Sequence, residues 1–462
     1  MGVGVSDWKL ARAVARLGQL GVVSGTALDQ VFARRLQDGD RGGNMRRGLE
    51  SFPFRGMAER VWGKYFIPGG KARGKPYKQL AMHNCDGPAE RRELCMVANY
   101  VEVTLAREGH GNPVGVNYLE KVQIPHLPSL YGAMLAGAEY ILMGAGIPLR
   151  IPGALDCLAR HEPAVYPVHV AGAEKSEPAA VRFIPRDYME TDLPPLTRPR
   201  FLAIIASNTL ATTMLKKANG RVDGLVVEGP TAGGHNASPR GNAPLSESGE
   251  PVYGERDAVD LAKLRQLGVP FWLAGGYGTP QGLREALAAG AAGIQVGTPF
   301  ALCAESALRE DYKRDILASV VAGESRVFTD PLASPTGFPF KTVSLPGTVG
   351  EASVYAVRPR VCDLGYLRET YRLPSGRLDH RCAAEPAAAY IAKGGNAEKA
   401  TGRKCLCNAL LANIGLSQIQ AGNYVEPGLV TCGDCLAGVA SFLTNGAASY
   451  SAGDVIAKLL GQ

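Results

Sequence analysis

Seven short apolar runs recur along the chain, each closing on glycine or another turn-forming residue. They are "LGVVSG" at 20–25, "PVGVN" at 113–117, "EYILMGAG" at 139–146, "RFLAIIASN" at 200–208, "DGLVVEGP" at 223–230, "PFWLAGG" at 270–276 and "AGIQVGT" at 292–298. They are apolar throughout rather than alternating, the pattern of parallel strands covered on both faces. Amphipathic stretches stand between them: "DWKLARAVARLG", "LPSLYGAMLAG", "TLATTMLKKANG", "DAVDLAKLRQLG" and "TPQGLREALAAG". Each ends at a glycine suited to the position just past a helix. In the last, Thr279 can cap the helix, Pro280 fits its first turn and Gly290 stops it. Repeated strand–helix units of this kind predict a parallel α/β protein, either a barrel or an open sheet.

The barrel fits better. A dinucleotide-binding open sheet should carry G-x-G-x-x-G after its first strand, with an acid about twenty residues on. Here "GVGVS" at 2–6 breaks that spacing, and "GGYGTPQG" from 275 comes too late. The expectation is a TIM (β/α)8 barrel over residues 1–330, with insertions at 41–112 and 171–199. Met1 opens directly at a strand's end, which points to a missing first strand. After residue 330 the periodicity stops. "TDPLASPTGFPFKTVSLPGT" is rich in turn residues, and six of the ten cysteines fall from Cys362 onward. Residues 331–462 therefore read as a C-terminal extension packed on the barrel.

Composition narrows the classes of function. A chain of 462 residues, 46% hydrophobic and 20% charged, has the make-up of a soluble globular protein. The net charge of +7 is mild and spread along the chain, and "ARRLQDGDRGGNMRRG" reads as a solvated face before it reads as a patch for an anion. There is no RRM, zinc-finger or helix-turn-helix pattern, so nucleic acid is not an expected partner. No apolar run approaches ~18 residues, so no membrane span is expected. Without a basic flank and apolar core at the N-terminus there is no sign of a signal peptide. Ten cysteines in such a chain suggest a reducing, cytoplasmic setting.

In α/β barrels the working groups stand at the C-terminal ends of the strands, and phosphate is often held after the last two. Gly275, Gly276, Gly297 and Thr298 are the small residues and single hydroxyl that such a cradle needs. "EGPTAGGHNA" at 228–237 places His235 behind two glycines, where it is either packed and silent or held up to a substrate. In "KCLC", Cys405 and Cys407 stand two apart, and Cys362 and Cys382 could complete four sulfur ligands for zinc or an iron–sulfur cluster. Cys432 and Cys435 form a rival pair, and plain buried thiols are the simpler alternative.

The ordered set "VVEGPTAGGHNA…PFWLAGGYGTPQGLREALAAGAAGIQVGTPFALCAES", together with the upstream "MGVGVSDWKLARAVARLGQLGVVSG", "VGVN" and "MGAGIP", resembles the nitronate monooxygenase (2-nitropropane dioxygenase) superfamily. That group includes FMN-dependent enoyl-acyl-carrier-protein reductases and the enoyl reductases of polyunsaturated fatty-acid synthases. "SPTGFPFK", "CDLGYLR" and "GRKCLCN" match a longer subgroup. The resemblance implies FMN at the mouth of a TIM barrel. Gly2, Val3 and Gly4 would run along the flavin ring, with Ser24 and Gly25 after the second strand. Asn117 would contact the flavin, with Lys121 and Gln123 nearby. Gly144 and Gly146 would line the next strand end, and Gly234, Gly275, Gly276, Gly297 and Thr298 would serve the ribitol and phosphate. The catalytic histidine would be His235. Two activities follow from the resemblance: oxidation of a nitronate or similar carbanion with oxygen, or NAD(P)H-dependent reduction of an enoyl thioester. The partners implied are a small-molecule substrate, with NAD(P)H or an acyl carrier protein in the second case, and a homodimer.

Overall fold

The computed structural model describes residues 2–172, 179–241, 243–444 and 446–462. All seven apolar runs form strands: β1 (Gly21–Ser24), β2 (Val114–Leu119), β3 (Tyr140–Gly144), β4 (Arg200–Ile205), β5 (Gly224–Glu228), β6 (Phe271–Ala274) and β7 (Gly293–Gln295). They pair in parallel and their order in the sheet is their order in the chain. Ser24 stands opposite Asn117, Asn117 opposite Leu142, Leu142 opposite Leu202, Leu202 opposite Gly224 and Glu228 opposite Ala274. The winding never reverses, whereas a doubly wound sheet turns back at a switch point. Among the described residues β1 and β7 each have a single neighbour. The expected closed ring of eight is thus a curled, seven-stranded half-barrel here; Met1 and residues 173–178 lie outside the described part.

The inner face of the sheet carries Leu142, Leu202, Ile204, Val226 and Ala274 in one buried cluster. Its outer face lies beneath helices. Helix Trp8–Arg16 starts where the Asp7 carboxylate accepts from the N–H groups of Lys9 and Leu10, and helix Pro280–Ala288 where the Thr279 hydroxyl accepts from Gly282 N–H. Helix Ala89–Arg107 buries Leu94, Met96, Val97 and Val101 on the way from β1 to β2. Part of the segment at 41–112 is therefore a helix of the barrel layer itself. Within 171–199, Ala179–Phe183 pairs antiparallel with Ala164–Val168.

The arginine-rich stretch is not a plain solvated face. Arg34 is buried and donates to the Leu416 carbonyl. Arg35 pairs with Asp7 at 3.1 Å and with Glu102 at 2.9 Å, and Arg47 pairs with Glu108 at 2.8 Å. The acids that complement this stretch lie in or beside helices Trp8–Arg16 and Ala89–Arg107, which its local sequence does not reveal.

The extension completes the core. Helix Ala452–Leu460 places Val455, Ile456 and Leu459 against Leu10 and Val14 of the first helix. Strand Phe340–Val343 pairs antiparallel with Val327–Asp330. Phe340, Leu406 and Leu410 join Val3, Val31 and Tyr77 in another apolar cluster. Among the described residues no helix is long and apolar enough to cross a membrane.

Candidate functional site

A cavity opens at the C-terminal ends of the strands, where α/β barrels place their working groups. Gly2 and Val3 enter its wall from the opening loop, Ser24 from β1, Asn117 from β2 and Gly144 from β3. Gly234 and His235 come from the loop after β5, and Ile204 from the inner core of the sheet. Tyr366, Leu406, Cys407 and Thr431 of the extension close the far side. Tyr366, Leu406 and Thr431 escaped the sequence reading, which took Cys407 only as a metal ligand, because the extension has no periodicity from which to place them.

Glu228 also lines the cavity, and the sequence reading passed over it. It is the last residue of β5, the position where barrel enzymes place reacting groups. That strand-end placement was the available signal. Burial raises its carboxyl to about 7, so it exchanges a proton near neutrality. Burial moves His235 the other way, to about 4, leaving a neutral imidazole at pH 7. The two shifts divide the labour. A group near 7 suits proton abstraction, whereas a neutral ring suits hydrogen bonding.

The loop that carries His235 is pinned from the extension. Gly234 sits at φ +82°, in the left-handed region where only glycine is unstrained. Its N–H donates to the Thr431 hydroxyl at 2.7 Å, and its carbonyl accepts from Lys341 N–H at 2.9 Å. Asn236 N–H donates to the Pro339 carbonyl at 2.9 Å, and the Asn236 amide donates to the Ala232 carbonyl at 2.8 Å. The His235 ring meets Phe340 edge-on, 5.0 Å between centroids. A backbone tied on both sides holds the imidazole in one place.

Gly275, Gly276, Gly297 and Thr298 form a separate cluster beside the cavity. Gly276 and Gly297 are exposed and Thr298 is buried. The Thr298 hydroxyl accepts from Gly433 N–H at 2.8 Å, while Gly276 N–H and the Thr298 side chain also face the Cys435 sulfur. Lys341 holds this segment through an ion pair with Asp434 at 2.6 Å. The remaining assigned residues lie off the cavity wall. A Cβ on Gly4 would meet the Ile414 side chain, and one on Gly25 the Tyr118 ring. Gly146 packs on the Glu120 side chain, Lys121 stands 3.9 Å from the Glu120 carboxylate, and Gln123 donates to it at 2.7 Å.

Of the cysteines, Cys362, Cys382, Cys405 and Cys407 gather in the extension, whereas Cys435 belongs to the Gly276–Thr298 cluster. No three of the first four have sulfurs within 4.8 Å of one another, so they do not form a closed single-ion site among the described residues. Asp29, His83 and Cys95 do come that close. There, however, Asp29 already has its cation: Arg91 stands 2.7 Å away, and Tyr366 donates to the other carboxylate oxygen at 2.7 Å. Burial opposes its ionisation, but Arg91, His83 and Tyr366 together hold the carboxyl well below the usual range.

Residues 193–327 match the nitronate monooxygenase family. A nitronate monooxygenase of Pseudomonas aeruginosa is 31% identical over 173 residues, 36% of this chain and 45% of that protein. A probable nitronate monooxygenase of Bacillus subtilis is 34% identical over 111 residues, 24% of this chain and 30% of that protein. The chain thus spans less than half the length of these curated relatives. Among solved structures, FabK from Thermotoga maritima is 15% identical, with 99% of this chain and 88% of that one covered and a TM-score of 0.47. The nitroalkane oxidase of Streptomyces ansochromogenes is 14% identical, with 100% and 93% covered and a TM-score of 0.46. The segment that matches the nitronate monooxygenase family runs from just before β4 to past β7.

Proposed function

We propose that this chain is an FMN-dependent oxidoreductase of nitronate monooxygenase type, built on a TIM-like barrel, that oxidises alkyl nitronates or similar carbanions with oxygen. One observation carries the reading. Residues assigned to a flavin from sequence, which range from the opening loop to the loop after β5, line one cavity together with two groups suited to proton handling.

The cavity fits the cofactor's ring: its wall combines glycine backbone, Ile204 and the polar side chains of Ser24 and Asn117. Those residues would hold the ring, and the exposed Gly276 and Gly297 would hold the phosphate in a cradle shared with Cys435. Bound FMN supplies the two-electron chemistry. The protein supplies the proton step. Glu228 takes a proton next to a nitro or carbonyl group of a neutral substrate, since its carboxyl lies near 7. His235, neutral at that pH, donates or accepts a hydrogen bond on the substrate side. A pre-formed nitronate arrives ionised and bypasses Glu228.

The test is anaerobic mixing of flavin-loaded protein with a pre-formed alkyl nitronate and, separately, with NADPH, while flavin absorbance is followed. Bleaching by the nitronate alone is the expected outcome. Bleaching by NADPH alone would replace this reading with an enoyl-thioester reductase. Of the basic stretch, Arg34 and Arg35 are taken up by internal partners, whereas Arg41, Arg46 and Arg55 stay exposed.

A further inference from the structure

A second cavity lies at the start of helix Ala89–Arg107. It shares no lining residue with the cavity that holds His235 and Glu228. Gly87 and Pro88 bring the helix start to its wall, Arg91 and Arg92 come from the first helical turn, and Arg182 comes from strand Ala179–Phe183. The lining holds three arginines and, among the described residues, no carboxylate. No side chain caps the helix, so the positive end of a 19-residue helix dipole abuts this space.

The arginines keep donors in reserve. Arg91 is 5% exposed. Its Nη2 stands 2.7 Å from the Asp29 carboxylate and donates to the Tyr366 hydroxyl at 3.2 Å, while Nε and Nη1 have no hydrogen-bond partner. An arginine can give a carboxylate two parallel bonds. Asp29 takes one, because its oxygens also meet His83 Nε2 at 2.8 Å and the Tyr366 hydroxyl at 2.7 Å. Unmet donors on a buried guanidinium are rare and costly. Arg92 donates only over long distances, to the Cys85 carbonyl at 3.4 Å and the Tyr188 hydroxyl at 3.5 Å, and both partners are neutral. Neither Arg92 nor Arg182 has a carboxylate within ion-pair range among the described residues.

We propose that this second cavity is an anion site that takes the phosphate group of a phosphorylated small molecule. The charge count selects phosphate over carboxylate. Asp29 balances Arg91, so Arg92 and Arg182 leave two positive charges unmatched. A phosphate monoester carries about −1.5 to −2 near pH 7, whereas a carboxylate carries one. Guanidinium forks and an uncapped helix start are also the donors that phosphate oxygens suit best. The site is separate from the cradle at Gly276 and Gly297, which follows β6 and β7, whereas this one opens the helix between β1 and β2. Tyr366 ties the two cavities together, since it lines the first and bonds both members of the Asp29–Arg91 pair behind the second.

The test is isothermal titration calorimetry of the full-length chain against inorganic phosphate at constant ionic strength, with FMN present to fill the Gly276 cradle. One saturable site is expected. Arg92→Gln and Arg182→Gln should each weaken it roughly tenfold or more, the worth of a charge-assisted hydrogen bond, while circular dichroism stays that of the parent. Lys217→Gln, which removes one exposed charge from helix Asn208–Lys217, should keep it. Because Cys85 lines the cavity, phosphate should also slow its alkylation by iodoacetamide and leave that of Cys157, on helix Ile151–Ala159, unchanged. Absence of saturable binding overturns the proposal, and so does binding at parent strength in both arginine variants. Acetate that binds more tightly than phosphate overturns the assignment to a phosphate group. None of these outcomes depends on whether a nitronate reduces the flavin, so the two readings fail separately.

Discussion

His235 Nε2 stands 2.7 Å from the Ser334 hydroxyl, so a group at a strand end takes its orientation from the C-terminal extension. Ser334 is fixed in turn, with the Thr336 hydroxyl at 2.8 Å and Thr336 N–H donating to it at 3.2 Å. His235→Asn should keep the fold and the bound flavin while lowering turnover of a neutral substrate by roughly 10²–10⁴-fold, the usual worth of a positioned acid–base or hydrogen-bonding group. Ser334→Ala should cost no more than about tenfold, the worth of one orienting hydrogen bond. Steady-state rates at matched flavin content check both. Full activity in His235→Asn would remove the histidine from the mechanism.

Glu228 gives the pH dependence a sign. Activity on a neutral substrate should rise with pH through an apparent pKa near 7, the value to which burial lifts this carboxyl. Glu228→Gln should abolish that rise and leave activity on a pre-formed nitronate within a few-fold of the parent. Stability should run the other way. A carboxyl raised in the folded state binds more protons than in the unfolded chain, so its contribution is fully present below about pH 4.5 and is lost as pH climbs through 7. Thermal melts at pH 8 should therefore find Glu228→Gln more stable than the parent. A pH profile for Glu228→Gln unchanged from the parent's would assign the ionisation elsewhere.

The parallel strands were legible because burial on both faces writes an unbroken apolar run, and all seven runs became strands in the order read. The helix start at Thr279 was legible from its own capping hydroxyl and the proline after it. What sequence could not place was decided by contacts far along the chain. Arg34 and Arg35 look like surface charge until Leu416, Asp7 and Glu102 close on them. Tyr366 and Cys407 join the cavity from a stretch without period. Glu228 was passed over because it follows "GLVV" and reads as the polar end of a strand. Lys121 and Gln123 sit near the mouth in sequence, yet the buried Glu120 draws both to itself.

Asp29 and Arg91 form a buried pair under the cavity wall, 2.7 Å apart and both about 95% or more removed from solvent. Arg91→Met should destabilise the protein by about 3–5 kcal/mol, because it leaves the Asp29 charge buried without a partner. Adding Asp29→Asn should recover much of that loss, since the orphaned charge then disappears. Denaturant melts of the single and double variants decide it. A loss that the second change does not reduce would mean that Arg91 acts through packing alone.

The cradle at Gly276 and Thr298 makes a prediction about Cys435. Its sulfur faces the same Gly276 N–H and Thr298 side chain that a phosphate would use, and Gly433 N–H donates to that hydroxyl from the same segment. A bound phosphate must therefore crowd Cys435. Flavin released by heat and separated by chromatography should be FMN, whose single terminal phosphate matches one cradle. Alkylation of Cys435, followed by peptide mass spectrometry, should be slower in flavin-loaded than in flavin-free protein. Cys85, which lines a different cavity beside Arg91 and Arg92, should react at the same rate in both and serve as the internal reference. Cys435→Ser keeps a small polar group and should retain FMN, whereas Cys435→Phe should weaken its binding at least tenfold by filling the cradle. Equal alkylation with and without flavin would place the phosphate elsewhere, and recovery of FAD would rule out a single-phosphate cradle altogether.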